Sequence, residues 1–208
     1  MAANIKDPEI GVLLQRATET TPADPEAWHF LGRWAVANNR MVTAVKALEQ
    51  AQSLAPDHPA ATMQNYSLLA AAYDGLVQLP EAERCFERAL AANRRLPVFL
   101  SASAYEYVRF LEREKRETQA IPIVNEILHH DPHYSPALLS KARAAAQAKR
   151  YSEAALLAEQ ALLHRKGSRL DQRAAHHFLA ITYIRLKNEA KARLHRDWLA
   201  ADDARDQR

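Results

Sequence analysis

The pattern most suggestive of chemistry is a group of imidazoles in the stretch HHDPHY at residues 129–134, with a second pair at His176–His177. Imidazole and carboxylate groups hold Zn²⁺ when two or three of them lie about 2.1 Å from the ion. Neighbouring side chains on a helix diverge by about 100°, however, and rarely chelate one ion. We therefore expect His129 and His130 to end a helix, where cations suit the macrodipole, and Asp131 to open the next turn. This reading predicts no metal site.

The sequence also shows no set of residues arranged for nucleophilic or acid–base catalysis. Cys85 is expected to be a half-buried packing residue, because no His and carboxylate pattern points at it. The acid pairs Glu81/Glu83 and Asp202/Asp203 resemble solvated or helix-terminal charge. The four glycines, at positions 11, 32, 75 and 167, form no phosphate-binding loop. We expect no cofactor and no enzymatic activity, and keep a metal-dependent or other enzyme as a remote alternative.

The elements that carry these side chains are expected to be helices. Strong helix formers dominate nearly every window, and no alternating run of β-branched residues appears. Uncharged apolar runs such as SLLAAAY (67–73) are far shorter than the ~20 residues of a membrane span. The first residues, MAANIKDPEIG, lack the apolar centre of a secretory signal. The sequence predicts an all-α protein and favours the cytoplasm, with the periplasm as the alternative if the chain is part of a longer protein.

Charge is distributed unevenly along the chain. Residues 1–104 hold 9 Lys/Arg against 11 Asp/Glu, and residues 105–208 hold 19 against 14. The basic second half is where an acidic partner would prefer to bind. Because no basic stripe with interleaved aromatic residues appears, nucleic acid is not expected as a partner.

A helix–turn–helix unit spans residues 25–58, PEAWHFLGRWAVANNRMVTAVKALEQAQSLAPDH. Large and small apolar residues fall on one face of each helix, and the alanines allow the two helices to approach closely. Pro56 closes the unit, because it lacks an N–H donor and clashes with the preceding turn. The facing positions are Trp28, Leu31 and Gly32 in the first helix, and Ala44, Leu48 and Ala51 in the second.

This unit resembles a tetratricopeptide repeat in its period and its W…LG…Y…A…F…A…P signature, with Ala35 where Tyr is usual. Four further units follow the same logic, at 63–96, 101–134, 135–168 and 173–206. The resemblance implies a right-handed superhelical solenoid of antiparallel helix pairs, forming a single domain over residues 1–208. The alanine-, arginine- and leucine-rich composition also suggests a bacterial source.

Two irregularities accompany the repeats. Three junctions, at 59–62, 97–100 and 169–172, contain four extra residues, which are expected to lengthen helices by about one turn. In residues 8–24, Ile10, Leu14 and Ala17 take the facing positions of a second helix whose first helix is missing. We expect this half repeat either to cap the array or to continue a longer solenoid.

The resemblance implies a protein-interaction scaffold that binds an extended or helical peptide in a groove lined by the first helices. The helical period predicts that the following residues face the groove: His29, Arg33, Ser67, Asp74, Tyr105, Arg109, Arg143, His177 and Arg185. Arg33, Arg109 and Arg143 occupy equivalent positions, and guanidinium groups suit carboxylates, which favours an acidic segment. The alternative is that each arginine pairs with a neighbouring acid, such as Arg109 with Glu106 or Glu112.

Self-assembly is the second functional hypothesis. Solenoid ends normally carry a polar capping helix, whereas the last helix here contains Leu194, Trp198 and Leu199. These residues predict a homodimer or an end-to-end contact, as in a structural adaptor within a larger complex.

Overall fold

The computed structural model describes residues 8–163 and 168–206, in which the chain forms eleven α-helices and no strand. The all-α prediction is therefore confirmed. Residues 1–7, part of the stretch in which no secretory signal is expected, residues 164–167, within the fourth predicted unit, and residues 207–208 lie outside the described residues. The helices are α1 (Pro8–Thr20), α2 (Pro25–Ala37), α3 (Met41–Leu54), α4 (Pro59–Gly75), α5 (Leu79–Asn93), α6 (Ser101–Arg113), α7 (Glu117–His130), α8 (Ser135–Gln147), α9 (Tyr151–Leu163), α10 (Arg169–Arg185) and α11 (Glu189–Asp206).

The chain divides into two compact units, Met1–Tyr107 and Val108–Arg208, called unit 1 and unit 2 below. In unit 1, α2 packs on α3 and α4 on α5, and α1 packs on α2. In unit 2, α8 packs on α9 and α10 on α11. No helix of the described chain is long and apolar enough to cross a membrane.

Small residues set the distance between paired helices. In unit 1, Ala35 and Ala44 are completely buried. A Cβ atom at Gly32 would lie only 2.4 Å from Cγ of Leu48, so the glycine is required for the close approach of α2 and α3. Ala142 and Ala158 are completely buried in the corresponding α8–α9 pair of unit 2. The pairs thus gain dispersion contacts that larger side chains would prevent.

Five turns between successive helices share one backbone geometry. Each contains a residue with φ between 57° and 61°, in the left-handed region. In the first of these turns, Arg40 N–H donates to Ala35 C=O at 2.8 Å and Asn39 N–H donates to Val36 C=O at 3.1 Å. This bonding closes the end of the helix as a Schellman motif does. The left-handed residues are Asn39, Val77, Lys115, Lys149 and Lys187.

The extra residues lengthen a helix at two of the three junctions. Helices α4 and α10 each have 17 residues, whereas α2, α6 and α8 have 13. The expectation is wrong at 97–100, which is not helical. There the buried Asn93 side chain donates to Leu100 C=O at 3.0 Å and accepts from Leu100 N–H at 2.8 Å. Pro97 also disfavours a helical conformation at Leu96, so side-chain bonding replaces the helical turn.

Helix α1 presents a face one position away from the predicted one. Ile10 and Leu14 are only half-buried, whereas Gly11 and Thr18 are buried. A Cβ atom at Gly11 would lie 2.2 Å from the indole ring of Trp34, which is buried beside it. Because only a glycine fits against the ring of Trp34, Gly11 is the contact point. The buried face of α1 is therefore rotated by one residue from the predicted face.

The α10–α11 pair contains a hydrogen bond between two histidines. Nδ1 of His176 and Nδ1 of His195 are 2.9 Å apart, so one ring donates a proton and the other accepts it. The ring of His176 also stacks on Trp198, with centroids 3.9 Å apart. This contact requires at least one neutral imidazole.

Burial and the neighbouring His195 lower the pKa of His176 to about 4, against a weaker opposing effect of Asp202. Burial also lowers the pKa of His195, with Glu159 opposing and Lys191 adding to the shift. Both shifts oppose protonation of these rings in the folded protein, relative to the unfolded chain.

Replacing Val77 by Asn should stabilise the protein. A β-branched residue is strained at its φ of 61°, and Val77 is 78% exposed, so little packing is lost. Asn39 already occupies the equivalent turn. We expect the free energy of unfolding, measured with denaturant, to rise by about 1 kcal/mol. Val12→Asn, at an exposed position within α1, should produce no gain, because Val and Asn have similar helix propensities. A lower midpoint for Val77→Asn would contradict the strain argument.

Acid should weaken the fold through His176. Because its folded pKa is depressed, its contribution to stability is complete above the unfolded value of about 6.5 and is lost as the pH falls towards 4. The melting temperature of His176→Gln should therefore change less between pH 7 and pH 5 than that of the wild type. The control is His177→Gln, the same substitution at the adjacent, exposed position, which leaves the His176–His195 hydrogen bond in place. An unchanged pH dependence in His176→Gln would contradict this assignment.

Candidate functional site

The histidine-rich stretch ends a helix, as the sequence indicates. His129 and His130 form the last turn of α7, and Asp131 follows as its C-cap. The Asp131 carboxylate accepts the backbone N–H of His133 at 3.2 Å, which holds the turn. Among the residues that the structure describes, no group of three or more His, Cys, Asp or Glu side chains is placed to hold a metal ion.

Cys85 is buried on α5 rather than half-buried. Burial raises the pKa of its thiol to about 11, although Arg88 and Arg84 oppose the shift. The thiol is thus protonated at neutral pH and is a poor nucleophile. Its surroundings fit a packing role.

Two of the predicted groove residues in unit 1 form contacts between first helices. Nδ1 of His29 lies 2.8 Å from Oδ1 of the buried Asn65, which joins α2 to α4. The hydroxyl groups of Ser67 and Ser103 are 3.2 Å apart and join α4 to α6. These two side chains therefore help to align the helices of unit 1.

The remaining predicted residues of unit 1 differ in exposure. Arg33 is exposed, and its guanidinium carbon lies 5.4 Å from the centre of the Phe30 ring. Asp74 on α4 and Tyr105 on α6 are half-buried. Arg33 thus combines a cationic head with an aromatic surface.

Unit 2 contains an open cavity of about 840 Å³ that follows α10 and is bordered by α8. It brings together three predicted residues, Arg143, His177 and Arg185, whereas Arg109 is exposed on α6 and does not line it. We call this cavity the α8–α10 groove. Its lining also includes Gln147, Tyr151, Arg173, Phe178, Ile181, Leu199 and Asp203.

The lining residues of α10 form one stripe. Arg173, His177, Ile181 and Arg185 recur at every fourth position and therefore share a face of the helix. Twelve residues at 1.5 Å each separate the two arginine Cα atoms by about 18 Å. An extended peptide of five or six residues covers that length.

The basic side chains of the groove differ in their partners. Nη1 of Arg143 lies 3.4 Å from a carboxylate oxygen of Glu112, which was expected as an alternative partner of Arg109. Arg173 donates to Asp203 at 2.6 Å and to Asp202 at 2.9 Å. His177 and Arg185 are exposed and form no hydrogen bond or ion pair with another described residue. The Arg185 end of the groove is therefore the one open to an anion.

Of the two alternatives expected for Asp202, solvated or helix-terminal charge, solvation is wrong. Its side chain is 4% exposed and is held by Arg169 Nε and Arg173 Nη1, each at 2.9 Å. These hydrogen bonds lower the pKa of the Asp202 carboxyl group. Arg169 and Arg173 lie four residues apart and face the end of α11. Their ion pairs with Asp202 therefore depend on the packing of α10 against α11. The sequence carried one signal for these ion pairs, the four-residue spacing of the two arginines.

The apolar residues predicted to mediate dimerisation have different environments. Trp198 is half-buried against His176, and Leu199 is half-buried in the lining of the α8–α10 groove. Leu194 is 64% exposed. Of the three, Leu194 is the most available to another molecule.

Comparison with known proteins bears on the fold. No family model and no curated protein matches this sequence. Among solved structures, YrrB, described as a TPR protein with an unusual peptide-binding site, aligns with a TM-score of 0.63 at 18% identity, covering 88% of this chain and 89% of that one. BtubC from P. vanneervenii aligns with a TM-score of 0.74 at 16% identity, covering 95% and 88%. PilF of Pseudomonas aeruginosa aligns with a TM-score of 0.69 at 19% identity, covering 85% and 75%.

At these identities the likeness concerns the fold. It agrees with the small-residue helix pairs and the recurring left-handed turns described above. This chain has the helical-repeat fold of the tetratricopeptide-repeat proteins.

Proposed function

We propose that this protein is a non-enzymatic interaction scaffold whose α8–α10 groove binds an acidic peptide segment of a partner protein. The observation that carries the proposal is the open end of the groove, where Arg185 is exposed without an ion-pair partner among the described residues. The fold supports an interaction role, since a similar solved structure is described as a TPR protein with a peptide-binding site.

The chemistry of the groove fits a peptide with an acidic end and an apolar centre. The guanidinium group of Arg185 can bind a carboxylate through two parallel hydrogen bonds. Beside it, Ile181 is 49% exposed and provides an apolar surface in the middle of the stripe. A partner side chain such as Leu would bury that surface, and the carboxylate would provide orientation.

Arg143 can contribute to the same ligand. Its contact with Glu112 is 3.4 Å long, and its side chain is about half exposed. Exposed pairs of this kind contribute little to stability, roughly 0–1 kcal/mol. A partner carboxylate can therefore replace Glu112 at small cost.

The other residues predicted to face a groove are also proposed as partner contacts, without an assigned ligand group. Arg109 is proposed as a further contact in unit 2. The first-helix residues of unit 1 are proposed as a separate partner surface within that unit, although two of them also align helices. The unit 1 residues are His29, Arg33, Ser67, Asp74 and Tyr105.

Loss of Arg185 should weaken binding of an acidic peptide. The probe is acetyl-Glu-Ser-Leu-Leu-Ser-Glu-amide, called the two-glutamate peptide, titrated into isotopically labelled protein and followed by NMR shifts of the α10 amides. We expect Arg185→Ala to raise the Kd about tenfold, as expected for a charge-assisted contact of about 1.4 kcal/mol.

The matched control is Arg193→Ala. Arg193 is exposed on α11, pairs with Asp197 at 3.7 Å and does not line the groove, so its removal changes the net charge equally. Equal weakening by both variants would indicate non-specific attraction. Absence of wild-type shifts at millimolar peptide would contradict the proposed site.

Self-association through α11 is a second proposal, supported by the 64% exposure of Leu194. In sedimentation equilibrium, a wild-type dimer should become a monomer in Leu194→Glu. Trp198→Glu is a poorer test, because it also removes the stack on His176. A wild-type protein that stays monomeric at high concentration would contradict this proposal.

A further inference from the structure

We infer that Asp203 of α11 occupies the Arg173 end of the α8–α10 groove in the place of a partner carboxylate, so that α11 competes with acidic ligands. The inference rests on the proposed function of the groove. It adds a regulatory element: one end of the groove is open, and the other is filled by the chain itself.

The geometry places an internal carboxylate at the groove. Asp203 and Arg173 both line the cavity, and Asp203 Oδ1 accepts from Arg173 Nη1 at 2.6 Å. At the other end of the stripe, about 18 Å away along α10, Arg185 has no such partner among the described residues. A peptide with a carboxylate at each end would therefore find Arg185 open and Arg173 occupied.

The two adjacent aspartates are not equivalent. Asp202 is 4% exposed and is held by both Arg169 and Arg173, and its backbone C=O also accepts from Arg169 at 3.1 Å. Asp203 is 57% exposed and contacts Arg173 alone among the described residues. Asp202 thus anchors α11 to α10, whereas Asp203 can leave without unpacking the helix.

Competition follows from the strength of this contact. An exposed ion pair is individually weak, so an external carboxylate can displace it. Asp203 is nevertheless tethered to the same chain, and a tethered group acts at an effective concentration in the millimolar range. A ligand carboxylate at Arg173 must overcome that internal competitor, whereas a ligand carboxylate at Arg185 does not.

Two peptides and two variants test the inference. The one-glutamate peptide, acetyl-Glu-Ser-Leu-Leu-Ser-Gln-amide, engages only the open end, whereas the two-glutamate peptide reaches both ends. We expect Asp203→Asn to lower the Kd of the two-glutamate peptide about three- to tenfold and to leave that of the one-glutamate peptide unchanged. In the wild type, the two-glutamate peptide alone should shift the Arg173 guanidinium resonance.

Asp197→Asn is the control, because it removes the same charge from the exposed side of α11, away from the groove. Thermal unfolding verifies that both variants are folded. Equal tightening by the two variants, or no tightening by Asp203→Asn in a protein that binds the two-glutamate peptide, would overturn the inference and leave the proposed function standing. Absence of binding by both the wild type and Asp203→Asn would overturn the proposed function itself, and this inference with it.

Discussion

The close approach of paired helices is the constraint on which the other features of each unit depend. Gly32 has no room for a side chain against Leu48, and completely buried alanines line the α8–α9 pair. Close-packed interiors transmit small changes in volume, so a methyl group added at such a position must move a helix. With this distance set, the faces of the first helices that do not enter the pair are held at defined positions, which is what a binding surface requires.

The α8–α10 groove is lined by such faces of the two first helices α8 and α10. One helical stripe of α10 carries cations at both ends and an apolar residue between them, and α8 supplies Arg143 along the border. Rigid helices lower the entropy cost of ordering these side chains on binding. Specificity would then come from the spacing of acidic groups in the ligand, because each guanidinium group binds a carboxylate in a restricted geometry.

The α10–α11 pair is held together both by packed aromatic rings and by ion pairs. Its interior contains two hydrogen-bonded histidines beside Trp198, and its end contains the arginine-held Asp202. Protonation of the histidines would weaken the pair from within, and release of Asp203 would alter only its border. Stability and the proposed ligand competition therefore rest on different residues of the same two helices, and each can be changed separately.

Local patterns predicted much of this molecule. Helical character, the end of α7 and the lengthening of α4 and α10 follow from propensity, caps and proline positions, which act over a few residues. For the same reason, the period of each helix identified Arg143, His177 and Arg185 as residues of one surface, and all three line the groove.

The features decided by tertiary structure depend on partners distant in sequence. The Trp34 ring rotates the face of α1, and the side chain of Asn93 replaces a helical turn before Leu100. Arg173 and Asp203 are 30 residues apart in sequence, and they come together only because α10 packs against α11. Outside α1, the sequence by itself determined which faces the helices present, because periodicity is local. Which charges those faces meet was decided by packing, because an ion pair needs both partners in place.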